Sequence, residues 1–413
     1  MYQKNIRFSS VNLNSQVKDG LLVNQTSKNS EITGQCLIQA MIINDNTINN
    51  SLVLVAADII WIDQYTSQKV RSLISKKYNI PKSNVCICAS HTHGTYNIDR
   101  DFLFNNCSEE YRNHIEKSII DLVDQTFNLS PINVDIFSSD IEVKGISINR
   151  RKTFFNFKKL KKTTQTMPNA KGSNDKNLNL IIFKNSDTKK IINIVARYSC
   201  HPVSNPDNCF GPDYPGELRN NIIKKFGQNT NLMFLQGFCG DIRPNLIKKM
   251  EGLKDYARYF LYGNIFRKSE KNDSRDIGIR LSNYVMDGLN NLKKINVDKK
   301  ITTKETAIKV PLENGKFAPR DLVITLWNIN DLKIIFSSSE MFSEYSVKFK
   351  KKYSAICVGY ANGMCGYIPT KKEIFKGGYE VQKCSRKFKF NSIIHEDIEN
   401  IIYEKVEKLN EVA

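Results

Sequence analysis

The chain is poor in the devices by which a polypeptide is cross-linked, anchored or left unfolded. Its ten cysteines include no CxxC pair and sit mostly within apolar stretches, the habit of reduced, buried thiols, which excludes a disulfide scaffold. No apolar run is long enough to cross a bilayer, since the longest, Leu52 to Ile62, is interrupted by Asp58. The opening residues MYQKNIRFSS carry basic groups but lack the apolar core of a secretory leader, so a cytoplasmic protein with no transmembrane segment is expected. Low-complexity tracts and fixed-period repeats are missing as well, which excludes disorder and solenoid architectures as the starting point. Linker-like sequence is scarce. A single domain over residues 1–413 is expected, with the polar stretch Thr163 to Lys176 as its best internal boundary and a surface loop.

What is present is a globular composition, 40% hydrophobic and 25% charged over 413 residues, enough to enclose a large core. The formal net charge of +19 raises the question of nucleic acid, because lysine-rich surfaces gain affinity by releasing counterions from phosphates. Lysine here accompanies asparagine and isoleucine throughout, and no nucleic-acid-binding motif occurs, so a general compositional bias accounts for it and no nucleic-acid partner is expected. Denser clusters at Lys158 to Lys162, Lys348 to Lys352 and Lys383 to Lys389 are the places where an anionic substrate or acidic surface would be drawn in.

Patterning points to a mixed α/β fold. Leu52 to Ala57 is a short aliphatic run, the signature of a strand buried on both faces. Asp63 to Tyr78 then repeats Val70, Leu73, Ile74 and Tyr78 at helical spacing before Pro81, and Val85 to Ser90 returns to strand. That order predicts a crossover unit in a largely parallel central sheet flanked by helices. Ser108 caps a second helix through Phe127, and Asn133 to Ile148 looks extended. Leu178 to Phe183 and Ile191 to Ala196 read as a hairpin, followed by a strand at Asn231 to Leu235 and a helix near Ser274 to Leu292. Strands at Ile301 to Val310, Leu322 to Trp327 and Leu332 to Phe336 and a closing amphipathic helix, Ser392 to Leu409, complete the reading.

Histidine is the scarcest chemically useful residue, with five in the whole chain, and three of the five fall in two short motifs, Ser90-His91-Thr92-His93-Gly94 and Cys200-His201-Pro202-Val203-Ser204. Each motif follows a strand, where open sheets carry their chemistry. If the backbone stays extended through His91 and His93, residues two apart face the same way and both imidazoles enter one pocket. Neutral imidazole is a preferred zinc ligand, and a catalytic zinc needs about three protein groups with one position left open. Hydrogen-bonded loop histidines are the alternative. His114 and His395 lie outside both motifs and read as structural or solvated.

Taken in order, further motifs join these: Asn149-Arg150-Arg151, Asp213-Tyr-Pro-Gly, Gly240-Asp241-Ile-Arg-Pro-Asn245, Ser339-Glu340, Gly359-Tyr-Ala-Asn-Gly with Tyr367-Ile-Pro-Thr, and Gly378-Tyr379-Glu380. The series resembles the neutral, non-lysosomal ceramidase family along most of the chain. The resemblance implies a ceramidase-like catalytic domain and a zinc ion held by His91, His201, Glu340 and Tyr367, although Tyr367 by itself reads as a core aromatic and nearby Glu344 competes with Glu340. It also implies that His93, Arg150 and Tyr379 surround a scissile carbonyl and donate to its oxygen as charge develops there. Asp213 and Asp241 are implied outer partners, a carboxylate of this kind receiving the second N–H of a ligating imidazole; each also reads as an ordinary loop-capping aspartate.

The resemblance breaks at one position. Where ceramidases carry a serine between Gly-Asp-x and Pro-Asn, this chain has Arg243. A guanidinium only donates hydrogen bonds and stays protonated, so it cannot replace a hydroxyl. The chain also ends soon after the last motif, without the C-terminal β domain of long family members and without their secretion signal. The expected activity is therefore hydrolysis of an amide, the N-acyl bond of a small, anionic or lipid-like substrate, by metal-activated water, with Arg243 binding a substrate carboxylate or phosphate. An esterase on the same site, or a metal- or ligand-binding homologue without turnover, are the alternatives.

Overall fold

The computed structural model describes residues 4–14, 22, 31–44, 50–101, 107–156, 160–296 and 301–411. Its largest sheet has nine strands. Eight lie along one path and are labelled in chain order: β1 (Lys4–Asn12), β2 (Leu37–Asn44), β3 (Leu52–Ala57), β4 (Val85–Ala89), β5 (Ile132–Glu142), β6 (Asn177–Asn185), β7 (Ile191–Tyr198) and β8 (Asn231–Gln236). Across the sheet they run β8-β7-β6-β5-β1-β2-β3-β4, with Lys293–Lys294 added to β5. The crossover at Leu52–Ala57, Gln64–Tyr78 and Val85–Ala89 is parallel as expected, and β7 pairs parallel with β8. Every other neighbouring pair is antiparallel, which corrects the expectation of a largely parallel sheet. The expectation extended one crossover to the whole sheet, whereas most connections here are hairpins or longer returns.

A second, four-stranded sheet comprises β9 (Thr302–Ile308), β10 (Leu322–Ile329), β11 (Leu332–Ser337) and β12 (Ile356–Val358). The two sheets pack face to face, and the period of two along each strand sorts the side chains between layers. On β3, Leu52, Leu54 and Ala56 join Trp327, Ile329, Ile334 and Phe336 between the sheets. Val53, Val55 and Ala57 face helices Gln64–Tyr78 and Glu109–Asn128 instead. The other end of the large sheet carries helices Tyr214–Phe226 and Asp273–Leu289 on Leu180, Ile182 and Ile194. Leu322, Ile324 and Leu326 turn from the inter-sheet space toward the closing helix Ile398–Glu411. The architecture is thus helices, sheet, sheet, helix.

Local chemistry explains the boundaries that position the site. Asp63 caps the first helix by accepting from Thr66 N–H, and Ser108 caps the second by accepting from Tyr111 N–H. The segment expected as a loop from Thr163 to Lys176 is a strand as far as Asn169, paired antiparallel with Ser147–Asn156, so the loop shrinks to the turn that follows. Threonine-rich sequence suits a strand as well as a loop. Of the cluster Lys158 to Lys162, residues 158 and 159 lie outside the described residues. All ten cysteines are free, nine of them buried, and no helix among the described residues is long and apolar enough to cross a membrane.

Candidate metal centre

His91 follows β4 and His201 follows β7, so two separate strand ends deliver the two imidazoles. His91 does not continue the strand. Its φ is +66°, a left-handed conformation in which a bulky residue is uncommon and which persists when its surroundings hold it. Here its N–H donates to Ile59 O at 3.0 Å. The extended backbone expected through His91 and His93 is therefore corrected. The two rings still meet, 5.0 Å between centroids, but edge to face at 82° because the chain turns between them. The rings of His91 and His201 are 4.8 Å apart.

The tautomers of both candidate ligands follow from their partners. His91 Nδ1 lies 2.9 Å from Ile60 O and His201 Nδ1 lies 2.8 Å from Ile242 O. A carbonyl only accepts, so each Nδ1 carries a proton, and a neutral ring then presents the lone pair of Nε2. His91 Nε2 is buried without a hydrogen-bond partner among the described residues. It lies 3.5 Å from Glu340 Oε2, and His201 Nε2 lies 3.3 Å from the same oxygen. Two ligands each about 2.0–2.1 Å from a tetrahedral ion stand roughly 3.3–3.4 Å apart, so these three atoms have the mutual spacing of groups that share one. His91, His93 and His201 also form a group that could hold a metal ion, their nearest ligand atoms lying within 4.8 Å of one another.

Glu340 reaches this point through a two-residue strand, Glu340–Met341, paired in parallel with Tyr367–Ile368 so that Glu340 and Tyr367 are direct neighbours. Gly240 permits the arrangement. Its N–H donates to Met341 O at 2.9 Å, and a Cβ there would fall 2.5 Å from Glu340 O. Glu340 is 2% exposed. Burial would raise its pKa, but the imidazoles of His91 and His201 outweigh that and hold it well below the usual carboxylate range. Burial, with Arg150 adding to it, pushes His201 down to about 3. Burial and the neighbouring His91 and His201 likewise lower His93. A neutral His201 beside an ionised carboxylate is the protonation state a cation requires.

Three residues to which the sequence assigns no role, Tyr360 and Glu380 within the motifs and Trp61 outside them, complete the centre. Tyr360 stacks on His91 at 4.0 Å and donates to Glu340 Oε2 at 3.1 Å. Trp61 covers His91 at 5.9 Å, as a parallel stack. Glu380 lies buried between the two adjacent arginines, accepting from Arg150 Nε at 2.9 Å and forming a close ion pair with Arg151. Arg150 also donates from Nη2 to Gly240 O at 2.8 Å and to the Tyr367 hydroxyl at 3.0 Å. Arg151 shares Glu380 but otherwise turns away, to Glu373 at 2.9 Å and Gly377 O at 2.6 Å, and so belongs to the framework. The strand pairing of Ile242–Pro244 with Ser147–Asn149 is what brings Arg150 beside Gly240.

The remaining expected residues are placed as follows. Tyr379 is half-buried in the first turn of Tyr379–Lys383, 3.5 Å from Lys387 Nζ, and burial raises its pKa with Cys384 adding to it. Asp213 caps helix Tyr214–Phe226 and accepts from the N–H groups of Ser204 and Asn205, each at 2.8 Å. Asp241 accepts from Asn149 at 2.7 Å and from Ser343 N–H at 2.7 Å, and burial raises its pKa to about 6. Their carboxylates fix loops, and the imidazole N–H groups go to backbone carbonyls instead. Glu344 pairs with Lys372 and Lys348 rather than with the histidines. His114 and His395 contact Ser118 and Asp397, away from the centre.

A cavity of about 410 Å³ opens beside the histidines, with His93, Pro202, Asp213, Arg243, Phe266 and Arg267 in its wall. Arg243 lies over the Phe266 ring at 4.4 Å, and its buried Nε has no hydrogen-bond partner among the described residues. Burial, then the charge of Arg150, lowers its pKa to about 10, which still leaves it cationic at neutral pH.

Comparison with known proteins places this geometry. Residues 23–247 match the family described as neutral/alkaline non-lysosomal ceramidase, N-terminal. No curated protein sequence matches. Neutral ceramidase from Pseudomonas aeruginosa is similar in structure with a TM-score of 0.72 at 14% identity, over 92% of this chain and 71% of that one. A ceramidase complexed with C2 gives a TM-score of 0.74 at 13% identity, over 97% and 73%. At such identities the structural likeness bears on the fold. The sequence match extends over more than half of the 413 residues, and with it the chain belongs to the neutral/alkaline non-lysosomal ceramidase family.

Proposed function

We propose that the protein is a zinc-dependent hydrolase that cleaves the amide bond of an N-acyl substrate bearing a carboxylate or phosphate. One observation supports the metal reading: two imidazole nitrogens, on rings whose Nδ1 donates to a backbone carbonyl, stand 3.5 and 3.3 Å from one carboxylate oxygen. In this reading His91, His201, Glu340 and Tyr367 hold the ion. A divalent ion there would polarise a carbonyl and lower the pKa of a water.

The chain's own residues do the rest. His93, in the cavity wall, orients the scissile carbonyl, and in this reading Tyr379 donates to the same oxygen. Arg150 holds the Tyr367 hydroxyl at 3.0 Å while Glu380 offsets its charge. Arg243 binds the substrate's anionic group: it is cationic, backed by Phe266, and has an Nε without a partner among the described residues. Trp61 and Tyr360 wall off water around His91.

The purified protein is expected to carry about one divalent ion per chain, lost in both His201→Ala and Glu340→Gln. Retention of metal by both variants overturns the ligand set. On a panel of N-acyl amides, with matched esters, Arg243→Ala should raise KM roughly 10- to 100-fold for anionic substrates only, the worth of a charge-assisted hydrogen bond, with metal content unchanged. Equal KM values refute the role of Arg243. Arg243→Ser tests separately for latent ceramidase activity. Arginine at the motif's serine position also favours a second reading, a ligand-binding homologue, which metal without turnover on the whole panel would establish.

A further inference from the structure

We propose that helix Leu253–Tyr262 is a docking element that seats the mouth of the cavity on an anionic lipid surface. The proposal goes beyond the assignment of amide hydrolysis and stands without it.

The helix is amphipathic, and it is mounted the wrong way round for a soluble protein. Leu253, Tyr256, Ala257, Phe260 and Leu261 recur at the spacing of one helical face. That face should turn to the core, yet Leu253 is 89% exposed, Phe260 91%, Leu261 67% and Tyr256 52%. The polar face is the one fastened down. Asp255 is buried and takes Lys248 Nζ on both oxygens at 3.1 Å and Arg258 at 3.1 Å. Lys152 Nζ donates to Tyr262 O at 2.7 Å, and the Tyr262 ring packs edge-on against Phe154 at 5.5 Å.

The mounting is tied to the cavity. Lys248 N–H donates to Ile265 O and Arg267 N–H to Leu246 O, each at 3.0 Å, and Ile247 bridges Phe266. Residues 246–267 therefore form one excursion whose base supplies Phe266 and Arg267 to the cavity wall and whose far end is the exposed helix.

Charge selects the occupant. From Lys248 to Lys271 there are seven lysines and arginines against three acidic residues, and one of the three, Asp255, is turned inward by its ion pairs. A lone helix with phenylalanine and leucine at its crest, tyrosines on its flanks and a basic rim matches the boundary between acyl chains and anionic headgroups. Tyrosine and lysine suit that depth because each has an apolar body and a polar tip.

The test uses the full chain and vesicles of phosphatidylcholine with or without phosphatidylglycerol, read by flotation. The native protein should bind the mixed vesicles at least roughly tenfold more tightly than pure phosphatidylcholine, and the preference should fade in high salt. A Leu253→Gln, Phe260→Gln, Leu261→Gln variant should lose roughly tenfold or more of that binding, with its melting temperature and metal content unchanged. The proposal is overturned if the native protein ignores anionic vesicles, or if the variant floats with them as well as the native protein does. It is also overturned if sedimentation shows a dimer that the variant cannot form, since the face would then belong to a second copy. None of these readouts depends on turnover, so failure of the amidase reading leaves the result standing.

Discussion

Glu380 offers the sharpest quantitative test of how the centre is built. Replacing it with glutamine keeps the shape and removes the charge that lies between two buried guanidiniums. Arg151 retains Glu373 at 2.9 Å. Among the described residues Arg150 keeps hydrogen bonds to Gly240 O and the Tyr367 hydroxyl, with the Glu340 charge farther off, so one buried cation is left without its ion-pair partner rather than two. Breaking a buried pair in this way costs about 3–5 kcal/mol. An unfolding entropy of about 2.1 cal/mol/K per residue makes about 0.9 kcal/mol/K for a chain of 413 residues. The melting temperature measured by calorimetry should then fall by about 3–6 °C. Adding Arg150→Met to Glu380→Gln should recover part of the loss, because the orphaned charge and not the missing bond is the larger cost. A single variant that melts within about 1 °C of the native protein, or a double variant that melts lower still, refutes the argument.

Two further outcomes follow from the same centre. In metal-free protein the His201 imidazole is pushed down to about 3 from its ordinary 6.5, so between those pH values the unfolded chain binds a proton that the folded chain refuses. Its contribution is fully present above 6.5 and is lost as pH falls through the window, about 2 kcal/mol by pH 5. Glu340, held low by the two imidazoles against its burial, adds the same sign only below its ordinary 4.5, so urea midpoints at pH 8 and pH 5 that coincide would contradict the His201 argument. Gly240→Ala would drive a Cβ to 2.5 Å from Glu340 O and 3.0 Å from Met341 O. It is expected to displace Glu340 and lower metal content, as measured by elemental analysis, whereas a fully loaded Gly240→Ala protein would show that this close approach does not set the carboxylate.

Much of this fold was legible because its elements announce themselves locally. The crossover helix carried its apolar stripe and the Pro81 stop, the next helix its Ser108 cap, and the hairpin of β6 and β7 its Asn-Ser-Asp turn. Strand direction was not legible, since it depends on which segments pair across more than a hundred residues: β1 lies between β2 and β5 for reasons no local pattern contains. The helix Leu253–Tyr262 carries a legible apolar stripe in its sequence, but periodicity reads such a stripe as a buried face, and here it is outside. At the centre, His91, His201 and Glu340 were recognised from motifs, and the structure brings them together. Tyr360 and Glu380 lie within the motifs Gly359-Tyr-Ala-Asn-Gly and Gly378-Tyr379-Glu380 and Trp61 lies in none, but motif membership assigns no role, because a tyrosine, a tryptophan or a glutamate acquires meaning only from what it touches. The same limit applies to Asp213 and Asp241, for which an aspartate at a helix cap or a loop looks identical in sequence to one behind an imidazole.

The division of labour along the chain has an evolutionary edge. The stretch that the N-terminal family match covers, residues 23–247, brings the imidazoles and Arg243, whereas Glu340, Tyr360, Tyr367, Tyr379 and Glu380 are all encoded downstream of it. A descendant could exchange the carboxylate, the phenols and the charge behind Arg150 without altering a single residue of the recognisable stretch. Kinship read from that stretch would then persist unchanged while the chemistry moved to another reaction.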